Sequence, residues 1–245
     1  MPSKIVRKAQ KKLGFRSKFK EFEALNVQAR PELQADWKDR WARLDDDTGH
    51  LPFDAHYVYH TAWAARRVAA RMPEKHVDIS SYTYFSTMTS AFLPVEFYDY
   101  RPANIHLSNL KCGAADLCRL EFEDQSLQSL SCMHTIEHIG LGRYGDPLDA
   151  NGDKNALREL ERVLAPGGYL IIVVPVGKPR IQFNAHRIYD PEMIESYLPN
   201  LKLSAFAVLP DDSSKGMVES PEHKFVLDQK YACGCFEFFR PAEES

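Results

Sequence analysis

Four side chains able to hold a ligand stand where apolar runs of this 245-residue sequence give out. Asp78 lies between Val77 and Ile79, Asp99 follows Val95 to Tyr98, Asp116 follows the run 105–112, and His134 follows 127–133. A carboxylate only accepts hydrogen bonds, which suits hydroxyl and amino groups. Imidazole exchanges a proton near neutral pH, which suits a general base. The base candidates are His134, Glu137, His138 and His186, with His138 and His186 placed first. Asn184, His186 and Arg187 share the segment FNAHRIY, which follows an apolar strand and so returns to the same edge as substrate contacts. Residues 140–152 (GLGRYGDPLDANG) are glycine-rich but lack the Lys-Ser/Thr of a phosphate-binding loop. They read as a loop over the substrate, with Arg143 and Tyr144 reaching in.

Two stretches invite a metal. His134 to His138 spells H-x-x-E-H, the inverted zinc-peptidase pattern. That chemistry needs both histidines on one helical face, whereas here the first abuts an apolar strand. Cys233-Gly234-Cys235 reads as strand alternation, with both sulfurs on one face. No residue is assigned as a metal ligand.

These residues need a frame. Strands are expected at 76–79, 95–98, 105–112, 127–133, 169–174, 203–209 and 232–239. Helices are expected at 84–93, 154–164 and 191–198, the second with Ala156, Leu157, Leu160, Val163 and Leu164 on one stripe. The alternation predicts a doubly wound, mostly parallel α/β sheet, in which ligands bind beyond the carboxyl ends of the strands. The last two strands are expected to pair antiparallel. Ahead of the sheet, residues 1–30, 31–47 (with Trp37 and Trp41) and 56–71 read as helices. Expected domains are a helical N-terminal extension, 1–74, and the sheet domain, 75–245.

Apolar content of 44% and charged content of 27% are those of a soluble globular protein. A net charge of −3 gives no general attraction to nucleic acid, so none is expected as partner. Residues 1–20 hold eight Lys or Arg and no acid. They lack the apolar core of a signal peptide and read as a basic arm with Ile5, Ala9, Leu13 and Phe19 on one face. The arm is a solvated leader, an anchor on anionic lipid, or a dimer arm. Five scattered cysteines fit a reducing compartment. The expected location is cytoplasmic, with peripheral contact at the inner membrane face through the arm as a further option.

Three motifs in order carry a resemblance. Asp116-Leu117 with Leu120-Glu121-Phe122, then SCMHTIEH (131–138), then LERVLAPGG (160–168), are similar to motifs of class I S-adenosylmethionine-dependent methyltransferases of the type 11 kind. The run from Phe53-Asp54-Ala55-His56-Tyr57 to Asp146 also resembles DUF268, taken as a family of uncharacterised bacterial proteins, over about three quarters of the chain. The resemblance implies a Rossmann-like fold and S-adenosylmethionine as cofactor. It also implies ribose contact by Asp99 and adenine contact by Asp116, with Tyr100 against the adenine ring and Asp78, Ser80, Ser81, Leu117 and His134 completing the cofactor site. The family's glycine-rich turn is replaced by Ser80 and Ser81, which can present N–H and hydroxyl donors. The expected activity is methyl transfer to a small-molecule or glycan acceptor. The alternative is a non-catalytic binding or scaffold module whose pocket Tyr82 or Tyr84 fills.

Overall fold

The structure is a computed structural model that describes residues 4–242. It divides into two compact units, Met1–Phe53 and Asp54–Ser245. In the first unit, α1 (Lys4–Ala29) sets Phe15 and Phe19 one turn apart against Trp37, with ring centroids at 5.9 and 5.0 Å. The expected shared face is not the one used: Leu13 is exposed, and the side chains of Ile5 and Ala9 lie outside the described residues. The helix expected at 31–47 is reduced to one 3₁₀ turn, Trp37–Asp39, capped by the Asp36 side chain on Lys38 N–H at 2.9 Å.

The second unit begins with α2 (Ala55–Arg71), whose first turn Asp54 caps by accepting from Tyr57 N–H. The strands are β1 (His76–Ile79), β2 (Val95–Asp99), β3 (Leu110–Ala114), β4 (Leu127–Met133), β5 (Leu164–Val176), β6 (Arg180–Gln182), β7 (His186–Ile188), β8 (Lys202–Leu209), β9 (Val218–Glu219) and β10 (Ala232–Phe239). The remaining helices are α3 (Thr83–Thr89), α4 (Gly152–Val163), α5 (Pro191–Ser196) and α6 (His223–Leu227).

Eight strands form one sheet in the order β3-β2-β1-β4-β5-β10-β8-β9, and β6 with β7 makes a separate hairpin. Strands β1 to β5 are parallel, and β10 runs antiparallel between β5 and β8. This is a Rossmann-like, doubly wound and mostly parallel α/β fold, as the alternation predicted. The third strand is shorter than expected and lies later, because its register against β2 starts at Val95↔Leu110. Strand β5 starts at Leu164, before the expected turn at 166–168.

The sequence placed the domain boundary at 74; the division at 53 follows from how α2 packs. Trp63, Ala64 and Val68 are buried on the sheet with Phe85, Val95 and Phe97. Burial of side chains of the size of Val68 contributes roughly 1.5–3 kcal/mol each. Glu237 of β10, fully buried, takes Arg67 at 2.9 and 2.5 Å and Arg71 at 2.8 Å. Those cations, with Ser204, hold its carboxyl low against the upward push of burial. Helix α2 is therefore a layer of the sheet domain.

Candidate functional site

A cavity of about 450 Å³ opens beyond the carboxyl ends of β1, β2, β3 and β4. That volume lies in the range of small-ligand pockets. Parallel strands end at this edge, and the chain leaves each one through a polar turn.

The opening turn follows β1. Ser80 has φ 59, the left-handed conformation that glycine adopts most cheaply. It is pinned there: its N–H donates to Tyr98 O at 2.7 Å, and its carbonyl accepts from Thr135 Oγ1 at 2.7 Å. The serine turn thus keeps the backbone path of a glycine turn. Ser81 is buried, and its Oγ accepts from Met133 N–H at 3.0 Å. Tyr82 lines the cavity and leans on Tyr57 at 4.8 Å, while Tyr84 faces a separate groove. Neither tyrosine closes the cavity.

Asp99 and Asp116 both reach it. Each fixes its own turn through one oxygen: Asp99 accepts from Arg101 N–H at 2.8 Å, and Asp116 from Cys118 N–H at 2.9 Å. Tyr100 and Leu117 line the same wall. Asp78 does not. It is fully buried, accepting from Ser131 Oγ at 2.6 Å and from Ser86 Oγ. Behind Ser131 lies His76, which bridges Ser129 at 2.7 Å and Ser131 at 2.9 Å. Burial pushes the Asp78 carboxyl up to about 6, against the pull of its three serines. The expectation that Asp78 contacts a ligand is corrected: Ser86 and Ser131 bury its carboxylate beside β4, away from the cavity lining.

The opposite wall carries the histidines. The HTIEH segment forms only a 3₁₀ turn, Ile136–His138, with a histidine on either side of Glu137. His134 has φ 53 and directs Nδ1 to Glu137 Oε1 at 2.9 Å and Nε2 to Cys233 Sγ at 3.4 Å. Burial lowers its proton affinity, but the Cys233 sulfur and the Glu137 carboxylate outweigh it and raise the group to about 10. Burial lifts the Cys233 thiol well above its usual range, so we assign the positive His134 chiefly to Glu137. Glu137 is held low by His134 in spite of full burial. His138 sets Nδ1 at 2.6 Å from Ala185 O and Nε2 at 3.7 Å from Glu137 Oε1, the oxygen that His134 also meets. That bond puts the proton on Nδ1 and leaves Nε2 as the basic nitrogen. Burial lowers its proton affinity, aided by Arg143 and His134 and opposed by Glu137. A neutral imidazole on the cavity wall is a competent base.

Several sequence assignments fall outside the cavity. Glu137 is sealed behind His134. His186 packs tilted against Tyr231, 4.6 Å between centroids, and bonds Gln182 at 2.6 Å, because 180–188 folds as a hairpin instead of an open loop. Asn184 sits exposed in the turn of that hairpin. Arg187 is buried, its guanidinium giving hydrogen bonds to Ile139 O at 2.7 Å and Asp149 O at 3.3 Å. It clamps the two ends of the 140–152 loop and touches no ligand space. Arg143 bonds Ala185 O at 2.9 Å and lies over Tyr144, which does line the cavity. The loop is shaped by Asp146, which accepts from Gly140 and Gly142 N–H, and by Gly140 itself. A Cβ there would lie 2.1 Å from Asp149 O, at φ +79.

Wall residues missed from sequence are Tyr57, Arg101, Thr135 and Asp146. Arg101 had a signal, since it directly follows the Asp99-Tyr100 pair. Tyr57 had none, because it arrives on α2 from outside the alternating pattern.

The family described as "Caenorhabditis protein of unknown function, DUF268" matches residues 117–199. The match covers about a third of the chain, less than the expected three quarters, and its description names Caenorhabditis where bacterial proteins were expected. No curated protein matches. Among solved structures, the N-methyltransferase NodS of Bradyrhizobium japonicum WM9, bound to S-adenosylhomocysteine, is 13% identical. The likeness covers 80% of this chain and 93% of that one at a TM-score of 0.54. Geranyl diphosphate C-methyltransferase of Streptomyces coelicolor A3(2) is 10% identical over 73% and 79%, at 0.50. The [4+2]-cyclase SpnF is 12% identical over 79% and 87%, at 0.54. The chain therefore has the fold of these proteins, with an open cavity at its ligand edge, and its likeness to DUF268 lies within residues 117–199.

Proposed function

We propose that the protein is an S-adenosylmethionine-dependent methyltransferase acting on a small-molecule or glycan acceptor. The observation that carries this reading is the open cavity between Ser80, Asp99 and Asp116, with the opening turn in the glycine conformation. The residues fit the cofactor. Asp99 suits the ribose hydroxyls, Asp116 the adenine amino group, and Tyr100 and Leu117 the ring faces. When bound, S-adenosylmethionine supplies a methyl group already activated by its sulfonium. This chain then has to orient the acceptor, exclude water and take a proton from an acceptor hydroxyl. His138, on the cavity wall, is the base that takes that proton. Tyr144, Asp146 and Asp149 of the 140–152 loop line the acceptor side and offer polar groups to a hydroxylated molecule.

The open cavity also supports catalysis over a non-catalytic scaffold, which would need Tyr82 or Tyr84 in the ligand space. SpnF bears a cyclase name on the same fold, so the cofactor must be tested directly. Calorimetry with S-adenosylhomocysteine is the test. Micromolar binding that weakens roughly ten- to hundredfold in Asp99→Ala supports the proposal, and a folded protein that binds neither S-adenosylhomocysteine nor S-adenosylmethionine overturns it.

No described helix is long and apolar enough to cross a membrane. Contact of the basic arm with anionic lipid is a separate proposal, checked by salt-sensitive pelleting with phosphatidylserine vesicles.

A further inference from the structure

We propose that His56, His134 and Cys233 form a zinc site beside the cavity. The three come from separate elements: the first turn of α2, the end of β4 and the start of β10. Their ligating atoms all lie within 4.8 Å of one another. His134 Nε2 and Cys233 Sγ are 3.4 Å apart. Tetrahedral zinc, with Zn–S about 2.3 Å and Zn–N about 2.0–2.1 Å, sets sulfur and nitrogen roughly 3.5 Å apart. The rings of His56 and His134 lie nearly parallel, 5.8 Å between centroids.

The surroundings match what such a site needs. A ligating histidine usually gives its second nitrogen to a carboxylate, which fixes the ring and raises its basicity. His134 does so, through Nδ1 to the buried Glu137. A Cys233 thiolate and the Glu137 carboxylate together balance a divalent charge. Two buried polar atoms border the cluster without a hydrogen bond among the described residues, Glu137 Oε2 and His60 Nε2. His60 is fully buried and packs 4.9 Å from His134. Buried polar atoms without partners are rare and point to an ion or water between them. Two imidazoles and one thiolate select zinc over calcium or magnesium, which take oxygen.

Three protein ligands leave a tetrahedral ion one position for water or an oxygen ligand. Of the three ligands, His134 lines the cavity. The site stands on its own geometry; only its use on an acceptor oxygen rests on the methyl-transfer reading.

The test strips the full-length protein with a chelator and titrates it with zinc against a chromophoric competitor. Cobalt(II) in place of zinc reports the sulfur ligand through a charge-transfer band. The expected result is one zinc per chain and a cobalt–thiolate band. Cys233→Ala removes the band, and His56→Ala weakens zinc binding by about a hundredfold or more. His56 is half-buried, so its variant tests the site even if Cys233→Ala fails to fold. His223→Ala, in the exposed Asp190, Glu192 and His223 cluster, leaves binding unchanged. Folded wild-type protein that takes up no zinc overturns the proposal, as does zinc binding that survives in His56→Ala. S-adenosylhomocysteine binding, measured on the same samples, separates the two readings. Zinc without nucleoside binding keeps the metal site and sinks methyl transfer, and nucleoside binding without zinc does the reverse.

Discussion

Asp78 and Asp99 lie on neighbouring parallel strands, Asp78 level with Phe97 and Asp99 two residues nearer the edge, yet they live in different media. Asp99 opens onto the cavity and holds only its own turn. Asp78 is sealed under that turn, in a buried seam with Ser86, Ser131 and His76. The edge thus has two tiers. A rim of Asp99, Asp116, Tyr144 and His138 lines the cavity, and a floor of Asp78, His76 and Ser131 lies buried beneath it. Chemistry at the rim is read as binding and turnover; chemistry at the floor is read as stability.

The sharpest way to break this division is at His138. Its replacement by Ala should lower turnover roughly 10²–10⁴-fold, the usual worth of a positioned base. Binding of S-adenosylhomocysteine should stay unchanged, and unaltered turnover with lowered thermal stability would move His138 to the floor. Because burial lowers its proton affinity, the acid limb of the wild-type rate profile should fall below the usual histidine midpoint. Protonation there removes the base, so activity drops as pH falls.

Asp78 gives the floor's counterpart. Folding raises its carboxyl from 3.8 to about 6, so the folded state binds more proton in that window. Stability from this group is full below the window and is lost as pH rises through it, to about 3 kcal/mol. Asp78→Asn should abolish that part of the pH dependence. Urea unfolding at pH 4.5 and 7.5 checks this; parallel behaviour of variant and wild type would contradict it.

Asp99→Ala should weaken S-adenosylhomocysteine binding roughly ten- to hundredfold, the effect of losing a hydrogen bond to a charged group. Thermal stability should hardly change. The smallest effect is expected at His186→Ala: lying outside the cavity, it should alter turnover by about twofold at most. A fall comparable with that of His138 would return it to the site.

What the sequence made legible divides along the same line. The parallel strands and α4 were readable because apolar periodicity reports burial directly. Asp99, Asp116, Tyr100 and Leu117 were readable because a strand's end fixes where the next side chains emerge. Periodicity does not say whether an acid at a strand end faces ligand or a neighbouring strand, which is why Asp78 was misplaced. Arg187 was misplaced because a cation beside a ligand edge looks the same whether it binds substrate or clamps a loop. Cys233, His56 and His134 were read apart, since their meeting depends on β10 entering the sheet next to β5. Helix α2 was assigned to the extension because its partner Glu237 lies 170 residues away.

That docking of α2 has a thermodynamic corollary. The helix supplies His56 and Tyr57 from its first turn and is held to β10 by Arg67 and Arg71 from its last. Any excursion that lifts it off the sheet dismantles the cavity wall. A ligand that needs this wall must therefore suppress the excursion by the factor 1 + [L]/Kd. Amide exchange along α2 should slow by that factor on saturation, while exchange along β4, which opens only on global unfolding, should follow the whole-domain stability.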